Sequence, residues 1–433
     1  MEFFNDKMDI NILDLHFDIL TLICEQIETF DDKKNFARTH PRLWNVFAYQ
    51  YRKDIQSVIY FEELEDDMIT HWDFILEWWG LNVTSIYNRY NYVNSGDLLE
   101  IAAKFCPNLE FVQFVIKEDN IKKVEENLPK LKMLKDIRMR TDFICLRKHN
   151  YKPVTHIADL IESLQSLTNL RHLNFGSHSL KRKERKQLNK LIQLEELKIG
   201  PIKESHVDDL STLLGYLRVL MIEYYPDTKT ISCLAKHCIN LERLSLKDYE
   251  NRSLSPGFST KWRVAYFPKL TFLHVFKESC QNPFLSLDDR YNDQLQVLNI
   301  PCLTMGEKEM VRIANLRALK VLFCMDILPS SIDVIVKMQL EQIHFWHSKN
   351  LFKMDLLRLV KGCSSLKSLT CACHGIDNEF LSELLNILKA KGFQPDQPFH
   401  LNTVTYIETE VKKDLMTQFT SMPNSNLMHL QLD

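Results

Sequence analysis

Glycine is scarce in this chain, which has only ten among its 433 residues. The sequence contains no GxGxxG, GxxxxGK[ST] or GxSxG motif and no HExxH pair. Glycine-rich phosphate loops and the familiar motifs of serine hydrolases and zinc proteases are therefore missing. No pair of carboxylates stands out from the general charge. These absences predict a protein that is not an enzyme and that needs no cofactor.

Net charge, long apolar runs and CxxC pairs are also lacking. A formal net charge of −3 gives no general attraction to nucleic acid or to an anionic membrane. The apolar run at residues 19–24 lies between Asp18 and Glu25 and is too short to span a bilayer. No secretory signal is visible at the N-terminus. We expect reduced cysteines and a cytoplasmic and/or nuclear location, with neither nucleic acid nor membrane as a partner.

What the sequence does contain is a repeat. The pattern apolar-x-x-apolar-x-apolar recurs with its first positions at Leu109, Leu134, Leu170, Leu194, Leu217, Leu241, Leu270, Leu295, Leu319, Leu340, Leu366, Leu401 and Leu427. The first and last of these are 318 residues apart, which is twelve steps of 26.5 residues on average. Leucine-rich repeats run from about 20 to 29 residues, so the spacing predicts a solenoid of about 13 such repeats. Val83 and Ile86 form a weaker opening copy.

The spacing also predicts how each repeat folds. The second and third apolar positions are two residues apart, so on a strand they point to the same side. One repeat cannot bury these side chains alone, whereas stacked repeats form one continuous core. The predicted fold class is α/β, with a curved parallel β-sheet on the concave face and helices on the convex face. We expect this solenoid to occupy residues 83–433.

Three strands follow a lead-in of the form Cys-x-x-Leu, which begins at Cys106, Cys238 and Cys363. This lead-in resembles that of the cysteine-containing leucine-rich repeats common in F-box proteins.

Residues 10–50 do not share the repeat. Ile19, Ile23 and Ile27 recur at intervals of four, which predicts an amphipathic helix. Three short helices are expected in this segment, and about 35 residues make too small a core to be stable alone. A partner is therefore expected.

The boundaries of the second and third helices are indicated by capping residues. Asp31 or Asp32 is a good N-cap for the second helix. Pro41 can open the third, which contains Leu43, Trp44 and Phe47.

Six residues of this segment form a recognisable pattern. Leu15 opens it, and Ile19, Leu20 and Ile23 are hydrophobic residues of the first helix. Asp32 is an acidic residue between helices, and Trp44 closes the pattern. In these positions the segment resembles an F-box. It departs from the family at His16, where proline is preferred, and at Thr39-His40-Pro41, which replaces a valine-cysteine pair.

The resemblance implies a non-catalytic substrate-recognition subunit of an SCF-type E3 ubiquitin ligase. F-boxes bind a Skp-family adaptor, which attaches them to a cullin–RING ligase. The residues expected to supply the adaptor-binding surface are Leu15, Phe17, Ile19, Leu20, Ile23, Ile27 and Trp44. The plainer alternative is a short helical cap on the first repeat.

Residues 51–82 contain three of the six tryptophans, at roughly helical spacing. We interpret this segment as a helical linker that packs the F-box-like module on the solenoid. The alternative is an exposed partner site.

We call the buried apolar positions of each repeat its anchors. Because side chains alternate along a strand, the residues between anchors should lie on the concave surface. In repeats seven to ten many are aromatic or apolar, and those predicted to bind a protein substrate are Phe272, His274, Phe276, Phe323, Met325, His344 and Trp346. An apolar patch on a face that should be polar usually marks an interface. Basic residues of the earlier repeats are expected to attract an acidic segment. The alternatives are a register error that would place these residues in the core, or a covering loop.

Two other clusters have plainer explanations. The basic run at residues 181–186 is interpreted as a solvated helix face. Cys371, Cys373 and His374 lack a second ligand pair, so no metal site is predicted.

Two further functions remain compatible with the sequence. One is a ligase-independent leucine-rich-repeat scaffold. The other is a receptor whose cargo site is completed by a small molecule.

Overall fold

The computed structural model describes residues 11–50, 57–62, 64, 69, 71–141, 154, 156–224, 226–248, 261–277, 284–346, 351–372, 376–403 and 409–432. The chain divides into two compact units, Met1–His178 and Ser179–Asp433. None of the helices in these described ranges is long and apolar enough to cross a membrane.

The first unit contains helices followed by a parallel sheet. Its helices are α1 (Phe17–Gln26), α2 (Phe30–Arg38), α3 (Pro41–Gln50), α4 (Trp72–Trp79), α5 (Ser95–Phe105), α6 (Ile121–Asn127) and α7 (Ala158–Ser163). Its strands are β1 (Val58–Tyr60), β2 (Ser85–Tyr87), β3 (Phe111–Val115), β4 (Asp136–Arg140) and β5 (His172–Asn174). The strands lie side by side in chain order, and neighbours are parallel.

The second unit repeats this arrangement. Its helices are α8 (Arg182–Leu188), α9 (Glu204–Val207), α10 (Ser211–Leu214), α11 (Thr228–His237), α12 (Glu307–Ile313), α13 (Ile332–Ile335), α14 (Lys353–Gly362), α15 (Asn378–Ala390) and α16 (Thr409–Ser421). Its strands are β6 (Glu196–Ile199), β7 (Val219–Glu223), β8 (Arg243–Asp248), β9 (Lys261–Arg263), β10 (Phe272–Lys277), β11 (Phe284–Ser286), β12 (Val297–Met305), β13 (Val321–Ile327), β14 (Gln342–Phe345), β15 (Ser368–Cys371), β16 (Phe399–Thr403) and β17 (Met428–Leu432).

Ten strands of the second unit form one parallel sheet in the order β6-β7-β8-β10-β12-β13-β14-β15-β16-β17. β9 and β11 pair with each other instead, as a separate parallel pair.

The middle apolar position of each repeat forms a continuous ladder across this sheet. The residues paired in register are Leu197, Leu220, Leu244, Leu273, Leu298, Leu322, Ile343, Leu369, Leu401 and Leu430. None is more than 6% exposed. In the first unit Ile59, Ile86, Val112, Ile137 and Leu173 pair in the same way. The α/β leucine-rich-repeat fold predicted from the spacing is confirmed.

The cysteine of the Cys-x-x-Leu lead-in stands at the end of a helix. Cys106, Cys238 and Cys363 directly follow α5, α11 and α14, and each backbone N–H donates to the carbonyl four residues earlier. All three side chains are fully buried. Burial raises the pKa of the Cys106 and Cys238 thiols to about 12 and that of Cys363 to about 11. The thiols therefore stay protonated and fill a small apolar space between the helix and the next strand.

The penultimate repeat is shifted by three residues from the sequence prediction. Leu401 pairs with Leu369 and Leu430, so it occupies the middle position of its repeat and not the first. The first position is Pro398, which the apolar pattern does not include, and the third is the buried Thr403. The copy predicted from Leu401, Val404 and Tyr406 was wrong, and its last two members lie outside the described residues.

The segment expected to be a helical linker also contains a strand. Besides α4, residues 51–82 include β1, which pairs in parallel with β2. Its middle residue Ile59 is 2% exposed and joins the anchor ladder. β-Branched and aromatic residues at 58–60 favour a strand here over a helix.

Anchors should contribute much more to the free energy of unfolding than their neighbours on the opposite face of the sheet. Leu322 is fully buried, whereas Val321 beside it is half-buried on the other side of the sheet. We expect Leu322→Ala to lower the free energy of unfolding by about 2–5 kcal/mol, because it leaves a cavity between stacked repeats. Val321→Ala should cost less than about 1 kcal/mol. Equilibrium denaturation of both variants measures the difference, and equal losses would contradict the assigned faces.

Candidate functional site

Three consecutive helices open the described part of the chain. α2 begins after Thr29, whose Oγ1 accepts a hydrogen bond from the Asp32 backbone N–H at 3.1 Å and donates to the Asp32 carboxylate at 2.8 Å. The predicted N-cap at Asp31 or Asp32 was therefore wrong. Both aspartates lie in the first turn instead, because Phe30 is already helical and packs its ring on Phe47 at 5.7 Å. Pro41 opens α3 as predicted.

The departure from the F-box pattern at His16 has a local explanation. His16 is the N-cap of α1, and its Nδ1 lies 3.5 Å from the Asp18 backbone N–H. The chain before α1 is fixed by Arg42 of α3, whose guanidinium donates to the backbone carbonyls of Leu13 and Leu15. A capping side chain thus starts the helix where proline would otherwise begin it.

Helix α1 buries only one side. Leu20 and Cys24 are fully buried, and α1 packs on α3. Ile19 and Leu22 are 46% and 58% exposed, and Ile23 is half-buried. Leu22 and Ile23 follow Ile19 by three and four positions, so both lie on the same helix face as Ile19. An apolar face on solvent is unusual for a helix of a stable domain and is typical of an interaction surface.

The seven residues predicted to bind an adaptor occupy different positions. Leu20 lies in the core of the module, and Trp44 is half-buried, with its ring 4.5 Å from that of Trp78 and 4.9 Å from that of Trp79. Leu15, Phe17, Ile23 and Ile27 are half-buried, and Ile19 is exposed. Whether they bind an adaptor stays a prediction.

Three exposed apolar residues of this region were missed from the sequence: Ile12, Leu22 and Tyr49. Tyr49 meets the ring of Phe17 edge to face at 5.4 Å, so it extends the α1 surface onto α3. Leu22 was detectable, because it is an apolar residue that falls outside the Leu20–Cys24 stripe. We call Ile19, Leu22, Ile23, Phe17 and Tyr49 the α1 surface.

The tryptophans of residues 51–82 couple α3 to the sheet of the first unit. Besides its contacts with Trp44, α4 packs on α5, where the close approach at Gly80 leaves no room for a side chain. A Cβ on Gly80 would lie 2.4 Å from the carbonyl oxygen of Phe105. Phe61, directly after β1, meets Trp72 of α4 at 6.5 Å. Through these contacts α4 packs on α3, on α5 and on Phe61, and Trp78 remains 41% exposed.

The second surface lies on the sheet of the second unit. Of the seven residues predicted to bind substrate, six alternate with buried anchors along β10, β13 and β14, and Trp346 directly follows β14. All seven are half-buried or exposed. They therefore lie on the face opposite the helices, and a register error is excluded. We call Phe272, His274, Phe276, Phe323, Met325, His344 and Trp346 the aromatic strip.

Strand register aligns the middle of the aromatic strip in a row. His274, Asn299, Phe323 and His344 pair in sequence across β10, β12, β13 and β14. The rings of Phe323 and His344 stack at 4.1 Å with an interplanar angle of 8°. The row is bounded by hydroxyl contacts, since His274 Nδ1 lies 3.1 Å from Ser245 Oγ and His344 Nδ1 lies 2.8 Å from Thr370 Oγ1.

Both imidazoles of the row are held neutral. Burial, with a smaller effect of the Lys247 charge, lowers the pKa of His274 to about 4, and burial lowers the pKa of His344 as well. Within the described residues, Nε2 of each ring is buried without a hydrogen-bond partner. A row of neutral rings around the Asn299 amide offers a bound chain surface for stacking, whereas the imidazole nitrogens themselves are already in contact with hydroxyls or buried.

Exposure within the aromatic strip is uneven. Trp346 is 52% exposed, whereas the other six residues are half-buried by their neighbours. The Arg243 guanidinium lies over the Phe272 ring at 4.6 Å. Phe352 and Met354, shortly after Trp346 in the chain, are 72% and 60% exposed and were missed because they fall between the repeat anchors.

The basic residues expected to attract an acidic substrate are largely paired. In the first unit Arg138 bonds Asp136 at 3.0 Å. In the second, Lys198 Nζ lies 2.6 Å from the Glu223 carboxylate, and both side chains are mostly buried. Intramolecular pairing of this kind reduces the field that these residues present to a partner.

The basic run at residues 181–186 lies on and just before α8. Two of its charges are buried: Glu184 accepts from the Lys181 backbone N–H at 2.6 Å, and Arg185 bonds Asp209 at 2.9 Å. Leu180 and Leu188 are buried, and residues 181–183 and 186 are exposed, so the interpretation as a solvated face holds for these four and not for Glu184 and Arg185.

Comparisons with known proteins add similarities of fold. No family model and no curated protein matches the chain. Among solved structures, it is similar to the yeast Rad7–Elc1 complex, with 13% identity over 82% of this chain and 87% of that one, and a TM-score of 0.43. It is also similar to a leucine-rich-repeat protein of Leptospira interrogans, with 14% identity over 87% and 100%, and a TM-score of 0.31. With both TM-scores below 0.5, we draw no functional conclusion from these similarities.

Residues of the aromatic strip should contribute unequally to the free energy of unfolding. We expect Trp346→Ala to change the free energy of unfolding by less than about 0.5 kcal/mol, because its side chain is largely solvated. Phe323→Ala should cost about 1–3 kcal/mol, since it removes a half-buried ring and its stacking on His344. Thermal and denaturant unfolding would test this, and a large loss with Trp346→Ala would show that this residue is part of the core.

The buried imidazole of His274 should make stability depend on pH. Its pKa is about 4 in the folded chain and near 6.5 when unfolded, so the unfolded chain binds more protons between these values. The free energy of unfolding should therefore fall as pH drops from about 6.5 to 4, by about 2–3 kcal/mol from this group. His274→Gln should remove this part of the decline. Denaturation of both proteins at neutral pH and at mildly acidic pH down to the folded pKa of His274 is the measurement, and parallel declines would contradict it.

Proposed function

We propose that this chain is the substrate-recognition subunit of an SCF-type E3 ubiquitin ligase. In this proposal helices α1–α3 are an F-box that binds a Skp-family adaptor and, through it, a cullin–RING ligase. The sheet of the second unit binds the protein substrate. The chain itself is a non-catalytic adaptor that acts in the cytoplasm and/or nucleus.

The observation that carries the proposal is the solvent-exposed apolar α1 surface. Ile19 and Leu22 are about half exposed while Leu20 and Cys24, on the same helix, are fully buried. A module of three short helices buries little apolar area, so leaving these side chains in water adds a cost that a bound partner would remove. The F-box resemblance of the sequence supplies the kind of partner.

The substrate is proposed to bind the aromatic strip. Trp346 supplies an exposed ring of the type that dominates binding energy at interfaces, and the neutral row from His274 to His344 supplies aromatic surface for stacking. A largely uncharged surface favours a substrate segment that is apolar or aromatic over one that is strongly acidic.

A scaffold without ligase function is the second candidate, and one feature favours it. Trp44 and α4 pack together so closely that α1–α3 can serve as a cap on the repeats. The two functions differ in whether the α1 surface has a partner of its own.

Adaptor binding should depend on exposed residues of α1. We expect Leu22→Asp to weaken binding of the full chain to a purified Skp-family adaptor at least tenfold, because it places a charge in the centre of the apolar surface. Calorimetric titration measures the affinity. Leu20→Asp is unsuitable, since Leu20 is fully buried and the variant would unfold the module.

Ile239→Asp is the matched control, because Ile239 is an aliphatic residue of the second unit with 54% exposure against 58% for Leu22. It should leave adaptor affinity unchanged. If the full chain does not bind the adaptor, or if the two aspartate variants bind equally well, the ligase proposal fails and the scaffold remains.

A further inference from the structure

Three side chains with metal-binding atoms meet on the helix side of the second unit. Asp208 follows α9 directly, and Cys233 and His237 lie on α11. One ligand atom from each lies within 4.8 Å of the other two. The carboxylate of Asp208 and Nε2 of His237 are 3.9 Å apart.

The repeat architecture brings these residues together. Cys233 and His237 are four residues apart, so they project from the same side of α11. The inward side of that helix is occupied by the buried residues Ile231 and Leu234. α9 belongs to the preceding repeat and packs beside α11. Every ligand therefore comes from one of two stacked repeats.

The aspartate next to Asp208 has a different partner. Asp209 pairs with Arg185, at 2.9 Å from its Nη2. The Asp208 side chain is 84% exposed, and the His237 side chain is 31% exposed. Cys233 is half-buried, unlike the fully buried Cys238 that caps the same helix.

We propose that Asp208, Cys233 and His237 bind a zinc ion that links the two repeats. A thiolate, an imidazole and a carboxylate are the donors that zinc prefers, whereas magnesium and calcium select oxygen. The thiolate and the carboxylate together balance the 2+ charge. Three protein ligands leave the fourth tetrahedral position to water.

The geometry requires only small side-chain adjustments. A zinc ion with ligands at about 2.0–2.3 Å holds neighbouring ligand atoms roughly 3.3–3.8 Å apart. The ligand atoms lie within 4.8 Å of one another, so the separations exceed this range by about 1.5 Å at most, and rotation of the three side chains can close such a gap.

Cobalt(II) titration of the reduced full chain is the test, because a thiolate bound to Co²⁺ gives a charge-transfer absorption that reports the cysteine directly. We expect one equivalent of Co²⁺ to produce this band and Zn²⁺ to remove it by displacement. Cys233→Ser should abolish the band. His237→Gln and Asp208→Asn should weaken Co²⁺ affinity at least tenfold, and Zn²⁺ should raise the melting temperature of the wild type but not of Cys233→Ser.

Two control variants separate this cluster from other metal-binding groups. Cys302→Ser removes another half-buried thiol, and His429→Ala removes one ring of a histidine pair whose centroids with His400 are 5.5 Å apart. Both should keep the band. Absence of the band in the wild type, its persistence in Cys233→Ser, or its equal loss in Cys302→Ser would overturn the proposal. Circular dichroism checks that Cys233→Ser folds. If it does not, the Asp208→Asn variant is the deciding test, because its substitution is on the surface. Unchanged Co²⁺ affinity of Asp208→Asn would also overturn the proposal.

Discussion

Parallel pairing between successive strands is the interaction on which the rest of this protein depends. A strand of three to nine residues cannot bury its own apolar side chains. Each anchor, such as Leu322 between Leu298 and Ile343, is covered only because the neighbouring repeats present an anchor at the same level. Stability is therefore distributed along the chain as a series of contacts between neighbours. The same register sets which side chains stand in line on the opposite face of the sheet.

Packing of the anchors between neighbouring repeats explains why the exposed face of the sheet in the second unit can carry aromatic side chains in place of the usual polar ones. Because the anchors supply the packing, the residues between them are not required for it. Phe323 stacks on His344, and the two histidines rest on hydroxyl groups of Ser245 and Thr370. The resulting row is preorganised, which reduces the entropy lost when a partner binds. Of the seven residues of the aromatic strip, all of them described, only Trp346 is more than half exposed.

The first unit shows how a repeat array can begin. Its first strand, β1, is followed by Phe61, which contacts the aromatic cluster built by α3 and α4. Terminal repeats need such a cover, because they have a neighbour on one side only. Helix α1 packs on α3, buries Leu20 and Cys24, and leaves Ile19 and Leu22 in solvent. One side of α1 thus holds the helical module together while the other presents an apolar surface.

The sequence by itself determined the repeat, its α/β class and the face of each strand residue in the strip, because a spacing of two fixes the side of a strand. It also indicated three N-terminal helices. Only the tertiary structure decided that Leu401 is a middle anchor, since that depends on its pairing with Leu369 and Leu430. The exposure of Leu22 follows from which side of α1 packs inward. Likewise, Asp208 meets Cys233 and His237 only because two repeats stack, which no local spacing encodes.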